Sequence, residues 1–501
     1  MLYFALFFLY IKTNGGERSI SKKFKNDGIY MLGRAANDVT GSCLYLKWHG
    51  FQMLIECGMY QSNDILEAYN INKDMFNGIN LSEIDAIVVG HLHVDHMAAL
   101  PYAWRKGFGG KIYMTPETAK ISKELMLNSA YIMNGDAVYL SSKYKKKYEP
   151  LYDSYDVETV MDYIECIGEY DVDVPISDDG NVSVRFLRNS HCIGAAQIII
   201  TLKGDNVTKK IYYSSDLGAI RTQNHFVDDL QMVDDKEYFS AAFIESTYGD
   251  SKRENARKRE KDLEILRTVI AETISKGGKV IIPSFAAIRA QEIMYSLYKM
   301  YGEDKSFTTK VLVDSPLIHD ICMDYSSILK GVNKVEWDEV MRWGNIKFIK
   351  DKKESLAAIA NPSPAIVISS SGFCTNGRVT DWVAEYISDP NSAIVFIGYI
   401  GADNSYLSYR VKNSKPNSKV KINGKSFDNK INVVSLTTFS SHASCKDLVE
   451  IGSNLRTDKL ILQHGSTEAK LSLKRLIEDE LSKKNKTFKV AVASQGMFIK
   501  I

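Results

Sequence analysis

The chain has 501 residues, 45% of them apolar and 25% charged, which is the composition of an ordinary globular protein and too long for a single hydrophobic core. A net charge of +2 excludes a global electrostatic pull on nucleic acid, so any polyanion site has to be a local patch. The seven cysteines (43, 57, 166, 192, 322, 374 and 445) are odd in number and form no C-x-x-C; this argues against a disulfide framework or a zinc finger and for a reducing cytoplasm.

The chain opens on MLYFALFFLY, ten uncharged apolar residues followed by a basic stretch. This run is too short to span a bilayer and has neither a positive segment before it nor a cleavage site after it. A disordered extension over 1–26 is the first reading and a weak membrane-surface anchor the second; stable membrane insertion is not expected. From about residue 27 an αβ pattern begins. Ser42–Trp48 and Phe51–Cys57 read as a hairpin turning at His49-Gly50. Ala86–Val89 and Lys111–Met114 read as strands with a helix over Met97–Lys106 between them, and residues 115–170 read as mostly helical and polar. KYKKKYEP at 143–150 is the one dense basic run there; a solvated helix face is the ordinary reading and RNA contact the alternative.

Strands resume at Val182–Leu187 and Ala196–Leu202, the latter turning through Gly204-Asp205-Asn206 into Lys209–Ser214, and again at Ala241–Glu245. A charged helix is expected over 251–277. After it, strands at Lys279–Pro283, Lys310–Val313, Ala365–Ser369 and Ala393–Gly398 alternate with helices, the rhythm of a parallel sheet in a separate domain. Short strands return at Val433–Leu436, Lys459–Gln463 and Lys489–Val492. The simplest organisation is one αββα domain, 27–250 plus 431–501, interrupted by an inserted α/β domain over 251–430.

The chemistry concentrates in GHLHVDH at 90–96, at a strand end. In extended backbone His91 and His93 point the same way and can share one metal. The following turn aims Asp95 and His96 toward a second. Imidazole with carboxylate is zinc-type ligation; the bland alternative is a surface cluster in which Asp95 caps the helix near Met97. Further along, His191, Asp216, His442 and His464 each follow an expected strand, in NSHCIGAA, SSDLG, FSSHAS and LQHGS. Six of the nine histidines stand at such strand ends.

H-x-H-x-D-H after a strand, then a histidine, then an aspartate in S-D-L-G, resembles the metallo-β-lactamase superfamily, and its β-CASP branch in particular. GRAANDVTGSCLYL and LIECGMYQ resemble the family's opening strands. FIESTYGD, FSSH and LQHG are similar to its motifs A, B and C, and PSFAAIRAQE, VDSP and SSSGFCTNGR to its inserted domain. The nearest subgroup is the bacterial and archaeal ribonucleases similar to the endonuclease subunit of the mRNA 3′-end cleavage machinery. The resemblance implies an αββα sandwich with an inserted α/β (β-CASP) domain of mainly parallel sheet. It also implies two zinc ions: one on His91, His93 and His191, a second on Asp95, His96 and His464, with Asp216 bridging; other divalent metals suit the same ligands. A hydroxide between the ions would attack phosphorus with Asp95 in the catalytic set, His442 would give the leaving oxygen its proton, and Glu245 would hold that imidazole. The alternative for Glu245 is a plain helix-start carboxylate.

The implied substrate is single-stranded RNA, threaded under the inserted domain, in a chain whose relatives often pair as homodimers. Ser284, Arg289, Ser371 and Arg378 sit at strand ends or glycine-rich turns suited to phosphates, with ordinary capping and salt-bridging as the alternative. Four positions depart from the family pattern. Glu56 replaces an aspartate behind the metal ligands, Ser444 replaces the aspartate two positions after His442, Ile288 replaces a glycine before Arg289, and the loop after GYIGADN lacks the usual glycine-threonine pair. Two other functions stay open on sequence alone: a metallo-hydrolase of a small ester, thioester or lactam, and a non-catalytic RNA-binding subunit of a processing complex.

Overall fold

The computed structural model describes residues 24–204, 206–250, 258–401 and 403–501. The apolar start and the first seven residues of the expected charged helix therefore lie outside the described residues. Two seven-stranded sheets lie face to face. The first runs, edge to edge, Phe498–Ile499, Gly28–Met31, Leu44–Trp48, Phe51–Ile55, Ala86–Val88, Lys111–Met114 and Ile164–Cys166. The second runs Lys489–Val492, Lys459–Gln463, Ala241–Glu245, Val207–Tyr213, Ala196–Gly204, Val182–Arg188 and Val174–Pro175. Alternating side chains from both, among them Leu46, Val88, Ile198, Ile200 and Phe243, fill the space between them.

Helices cover the outer faces. Cys445–Asn454 and Thr467–Lys483 pack on the second sheet through Leu448, Ile451, Leu473 and Ile477. Pro116–Tyr144 and its neighbours cover the first through Ile121, Leu125 and Met126. This is the expected αββα sandwich. The hairpin falls where the sequence places it: His49 (φ +46°) and Gly50 (φ +91°) both take the left-handed backbone that a two-residue turn requires. Among the described residues no helix is long and apolar enough to cross a membrane.

The third sheet carries six strands, all parallel, in the order Ile346–Phe348, Lys310–Asp314, Ala365–Ser369, Lys279–Pro283, Ala393–Phe396 and Asn432–Ser435. Its inner strands are near-continuous runs of Ile, Val and Leu because helices shield both faces. The last strand corrects one expectation. The short strand near 433 belongs to this sheet, pairing with Ala393–Phe396, so the return to the sandwich comes after Ser435 rather than at 430.

Two local differences matter for the site. The expected helix from Met97 is two pieces, Val94–Met97 and Leu100–Arg105, with Asp95 inside the first turn and His93 at its N-cap position without a side-chain cap bond. Asp95 is thus not a capping residue. The charged helix is observed as Arg259–Ser275.

Candidate metal centre

Strands Val207–Tyr213, Ala241–Glu245 and Lys459–Gln463 are mutually parallel, so their C-terminal ends line one edge of the second sheet. Asp216, Glu245 and His464 therefore emerge side by side. Across the sandwich, Phe51–Ile55 and Ala86–Val88 end at the same edge and deliver Glu56 and the His91–His96 loop. His191 arrives from the loop after Val182–Arg188. The convergence needs unusual backbone: Glu56 (φ +60°), Ser215 (φ +51°) and His464 (φ +49°) are all left-handed non-glycine residues, a cost tolerated where surrounding packing fixes a functional geometry. Gly58 permits the closest approach, since a Cβ there would lie 1.7 Å from the Asp95 carbonyl oxygen.

Three imidazoles meet at one point. His93 Nδ1 lies 3.0 Å from His91 Nε2 and 3.1 Å from His191 Nε2. Asp216 Oδ2 stands 3.7 and 3.8 Å from the same two Nε2 atoms. Burial holds all three histidines below the ordinary range, His93 at about 4, so each presents a lone pair. That spacing fits shared ligation: nitrogens on a tetrahedral zinc with 2.0–2.1 Å bonds stand roughly 3.3 Å apart. Beside them, Asp95 Oδ2, His96 Nε2 and His464 Nε2 form a second group, with separations of 3.4, 3.4 and 3.7 Å. The other oxygen of Asp216 faces this group, 3.3 Å from His96 Nε2 and 3.1 Å from His464 Nδ1. One carboxylate thus stands between two sets of ligand-type atoms, and the donor chemistry fits divalent metal at both.

The two groups differ in protonation. Burial alone would lower His96, but Asp216, Asp95 and Glu56 outweigh it and push His96 well up; Asp216 and Asp95 likewise raise His464. Metal ligation requires neutral imidazole. Metal uptake by His96 and His464 is therefore expected to release protons near neutrality and to tighten as pH rises. Uptake by His91, His93 and His191 should stay flat until acid reaches His93. Calorimetric titration in two buffers of different ionisation heat checks this: a buffer-dependent heat confined to one of two binding steps is expected.

The residues behind the ligands were partly missed in sequence. Ser215 Oγ bonds His91 Nδ1 (2.9 Å) and donates to Glu56 Oε1 (2.7 Å), which fixes the ring so that Nε2 faces inward. Glu56 also lies 3.2 Å from His96 Nδ1 and accepts from Gly90 N–H at 3.1 Å. Its extra methylene relative to aspartate lets one carboxylate reach all three partners. Asn189 donates to the Ser214 and Asp216 carbonyls and accepts from the His191 and Gly218 amides, locking two ligand loops together. The sequence signal for both was small polar residues flanking ligands, in SSDLG and NSH.

Glu245 is fully buried at its strand end and sits 3.0 Å from His442 Nδ1 through Oε1, while also accepting from the Leu217 (3.3 Å) and Thr247 (2.6 Å) amides. The helix-start alternative for it falls away. The His442 ring is centred 4.6 Å from His191 and 6.2 Å from His464, over both groups. Ser444 caps helix Cys445–Asn454 in a reciprocal box with Asp447.

The four phosphate candidates all lie in the inserted domain. Ser284 is buried with its hydroxyl on the Phe285 carbonyl, and Ser371 Oγ is buried without a hydrogen-bond partner. The Arg378 guanidinium is held by buried Asp314 (2.8 Å) and the carbonyls of Ile349 and Lys350, which is the salt-bridging alternative. Arg289 lies over the Phe285 ring at 4.8 Å. Ile288 adopts φ +73° in a tight turn closed by Arg289 N–H to the Ala287 carbonyl (2.9 Å), the backbone a glycine would take without strain.

Residues 37–182 match the metallo-β-lactamase superfamily, residues 290–404 the Beta-Casp domain, and residues 430–490 the Zn-dependent metallo-hydrolase RNA specificity domain. These three matches, spread over the chain in the order of the folded parts, decide the family. The chain is a β-CASP member of the metallo-β-lactamase superfamily. This β-CASP metallo-hydrolase is 28% identical over 449 residues to ribonuclease TTHA0252 of Thermus thermophilus, covering 88% of this chain and 94% of that one. It is 29% identical over 438 residues to an RNase J-like protein of Methanocaldococcus jannaschii (86% and 91% covered). It is 24% identical over 464 residues to Integrator complex subunit 11 of Danio rerio (89% and 71%). A crystal structure of a protein of unknown function from Enterococcus faecalis V583 shares the fold at a TM-score of 0.50 and 12% identity, over 94% of this chain and 99% of that one.

Proposed function

We propose that the chain is a di-metal ribonuclease that hydrolyses phosphodiester bonds in single-stranded RNA. The observation that carries this is Asp216 standing between two ligand groups, with the Glu245–His442 pair poised above them. We assign one zinc ion to His91, His93 and His191, one to Asp95, His96 and His464, and Asp216 to both. Bound there, the two ions supply Lewis acidity to a phosphate and water acidic enough to ionise near pH 7. The chain does the rest. Asp95 and Asp216 place negative charge beside the cations and hold their separation. Glu245 orients His442 through Nδ1, which leaves Nε2 to carry a proton to the departing ribose oxygen and balances the charge on the ring. The names of the relatives, a ribonuclease and an RNase J-like protein, support RNA as substrate. Free thiols, six of seven buried, suit a reducing cytoplasm. As domains we propose 27–250 with the C-terminal residues for the sandwich and the β-CASP unit between.

An aromatic file beside the centre supports a single strand over a small substrate. Tyr248 packs edge-on against His442 at 5.9 Å. Tyr399, 44% exposed, is pushed up to about 12 by burial and by its neighbours Tyr406, Tyr248, Asp403 and Asp38. Phe373 backs it, 6.0 Å from Tyr399 and 4.8 Å from Tyr406. Asn63 of the sandwich donates to Ser405 at 2.6 Å, tying down the loop that carries Tyr399 and Tyr406. Flat rings at this spacing suit stacked bases, each worth about 1–3 kcal/mol. Tyr399→Ala is expected to raise KM for RNA about tenfold while leaving hydrolysis of bis(p-nitrophenyl) phosphate, which has no base, unchanged; Tyr399→Phe should restore KM. The proposal is tested by offering zinc-loaded protein single-stranded RNA, a lactam and a thioester side by side. Turnover of RNA alone is expected, and turnover of a small substrate without RNA overturns it.

A further inference from the structure

Helix Pro116–Tyr144 starts beside the metal centre. The hydroxyls of Thr115 and Thr118 both donate to the Gly194 carbonyl (2.6 and 2.9 Å), in the loop that carries His191. Its 29 residues carry the chain about 43 Å away at 1.5 Å per residue. The far end is the lysine run noted in the sequence. Lysine runs are ordinarily solvated and paired with nearby acids, but here only Lys147 is, with Glu149 at 2.5 Å. Among the described residues Lys143, Lys145 and Lys146 make no ion pair. Instead Lys143 Nζ sits 5.3 Å from the ring centres of both Tyr139 and Tyr144, and Lys146 Nζ 5.8 Å from that of Tyr148.

Cation–π pairing keeps each ammonium charged and leaves its other protons for an anion. The tyrosines are presented as well: Tyr139 and Tyr144 are 47% and 43% exposed, and Tyr131, two turns earlier, 79%. The turn that displays them is fixed. Ser141 Oγ accepts from Tyr148 N–H at 2.9 Å, and the Tyr148 ring packs on Tyr69 at 5.2 Å. In a chain of net charge +2, this is a local cationic surface interleaved with stacking rings, the pairing that grips a single-stranded nucleic acid.

We infer that the C-terminal end of this helix is a second RNA-contact surface, which holds the strand some distance from the bond being cut. The inference rests on the ribonuclease reading above. A long RNA spans both places, and a short one reaches only the metal centre. The test uses the full-length protein with Lys143→Glu/Lys146→Glu and, separately, Tyr139→Ala/Tyr144→Ala. KM is measured on long and short single-stranded RNA over a range of salt. Both variants should raise KM for the long RNA about tenfold and leave kcat and the short RNA unchanged, and the lysine variant should flatten the salt dependence by about one unit per lysine. Equal KM values on long RNA overturn the inference, as does equal loss on long and short RNA. So does a change confined to sedimentation or to anionic-vesicle binding, which would make the surface a protein or membrane interface. Anisotropy of a labelled long RNA on the same variants in a His442→Ala background reads the surface without turnover. A wild type that cuts no RNA sinks the ribonuclease reading, while this binding measurement still decides the surface.

Discussion

Asp216→Asn is expected to abolish metal-dependent activity through loss of metal. The carboxylate is fully enclosed and faces both ligand groups, 3.1–3.3 Å from His464 and His96 and 3.7–3.8 Å from His91 and His191. His96 and His464 owe their raised affinity for protons largely to this charge. Asparagine keeps the volume and removes the charge that would balance metal at either group. Losing an outer hydrogen-bond partner costs about 10–100-fold in metal affinity; losing the shared ligand should cost more, and at both positions. Metal analysis of dialysed protein checks it, with fewer than two ions per chain retained, while the thermal transition of the metal-free protein should show a fold still formed.

His442→Ala should behave in the opposite way. His442 belongs to neither ligand group, so metal content should match wild type. The rate on RNA should fall by about 10²–10⁴, the usual contribution of a positioned general acid. Because the leaving oxygen needs the proton, a substrate with a p-nitrophenolate leaving group, stable without protonation, should lose far less. Glu245→Gln should fall between wild type and His442→Ala, since the 3.0 Å contact to Nδ1 survives without its charge. A His442→Ala protein that sheds metal would reassign the residue from proton donor to ligand.

Much of this site was legible because metal chemistry is local in sequence. GHLHVDH announces ligand-type side chains through residue type alone, and His191, Asp216 and His464 each follow a readable strand of alternating or continuous apolar residues. What stayed hidden depends on backbone geometry that composition does not encode. Ser215 is one of two adjacent serines, and only its left-handed backbone turns the hydroxyl onto His91 and Glu56. Ser444 departs from the family pattern two positions after His442, and its role as a helix cap shows only through its pairing with Asp447. The same limit applies to the fold. Four strands of the inserted sheet were readable, but its edge strand Ile346–Phe348, three residues long with a lysine at its centre, was not, and whether Asn432–Ser435 closes that sheet or opens the next is decided by its parallel pairing with Ala393–Phe396. The hairpin Lys419–Ile422 and Lys425–Asp428, turning at Asn423-Gly424, was signalled by its asparagine-glycine pair and overlooked among lysines.

The most direct measurement is cleavage of an end-labelled single-stranded RNA by protein stripped with a chelator and then reloaded with zinc, beside an Asp95→Ala/His96→Ala control. Stripped protein and control should leave the RNA intact, reloading should restore cutting only to wild type, and the restored rate should saturate at two zinc ions per chain. Intact RNA in every lane, or cutting that survives in the control, would contradict the proposal of a di-metal ribonuclease.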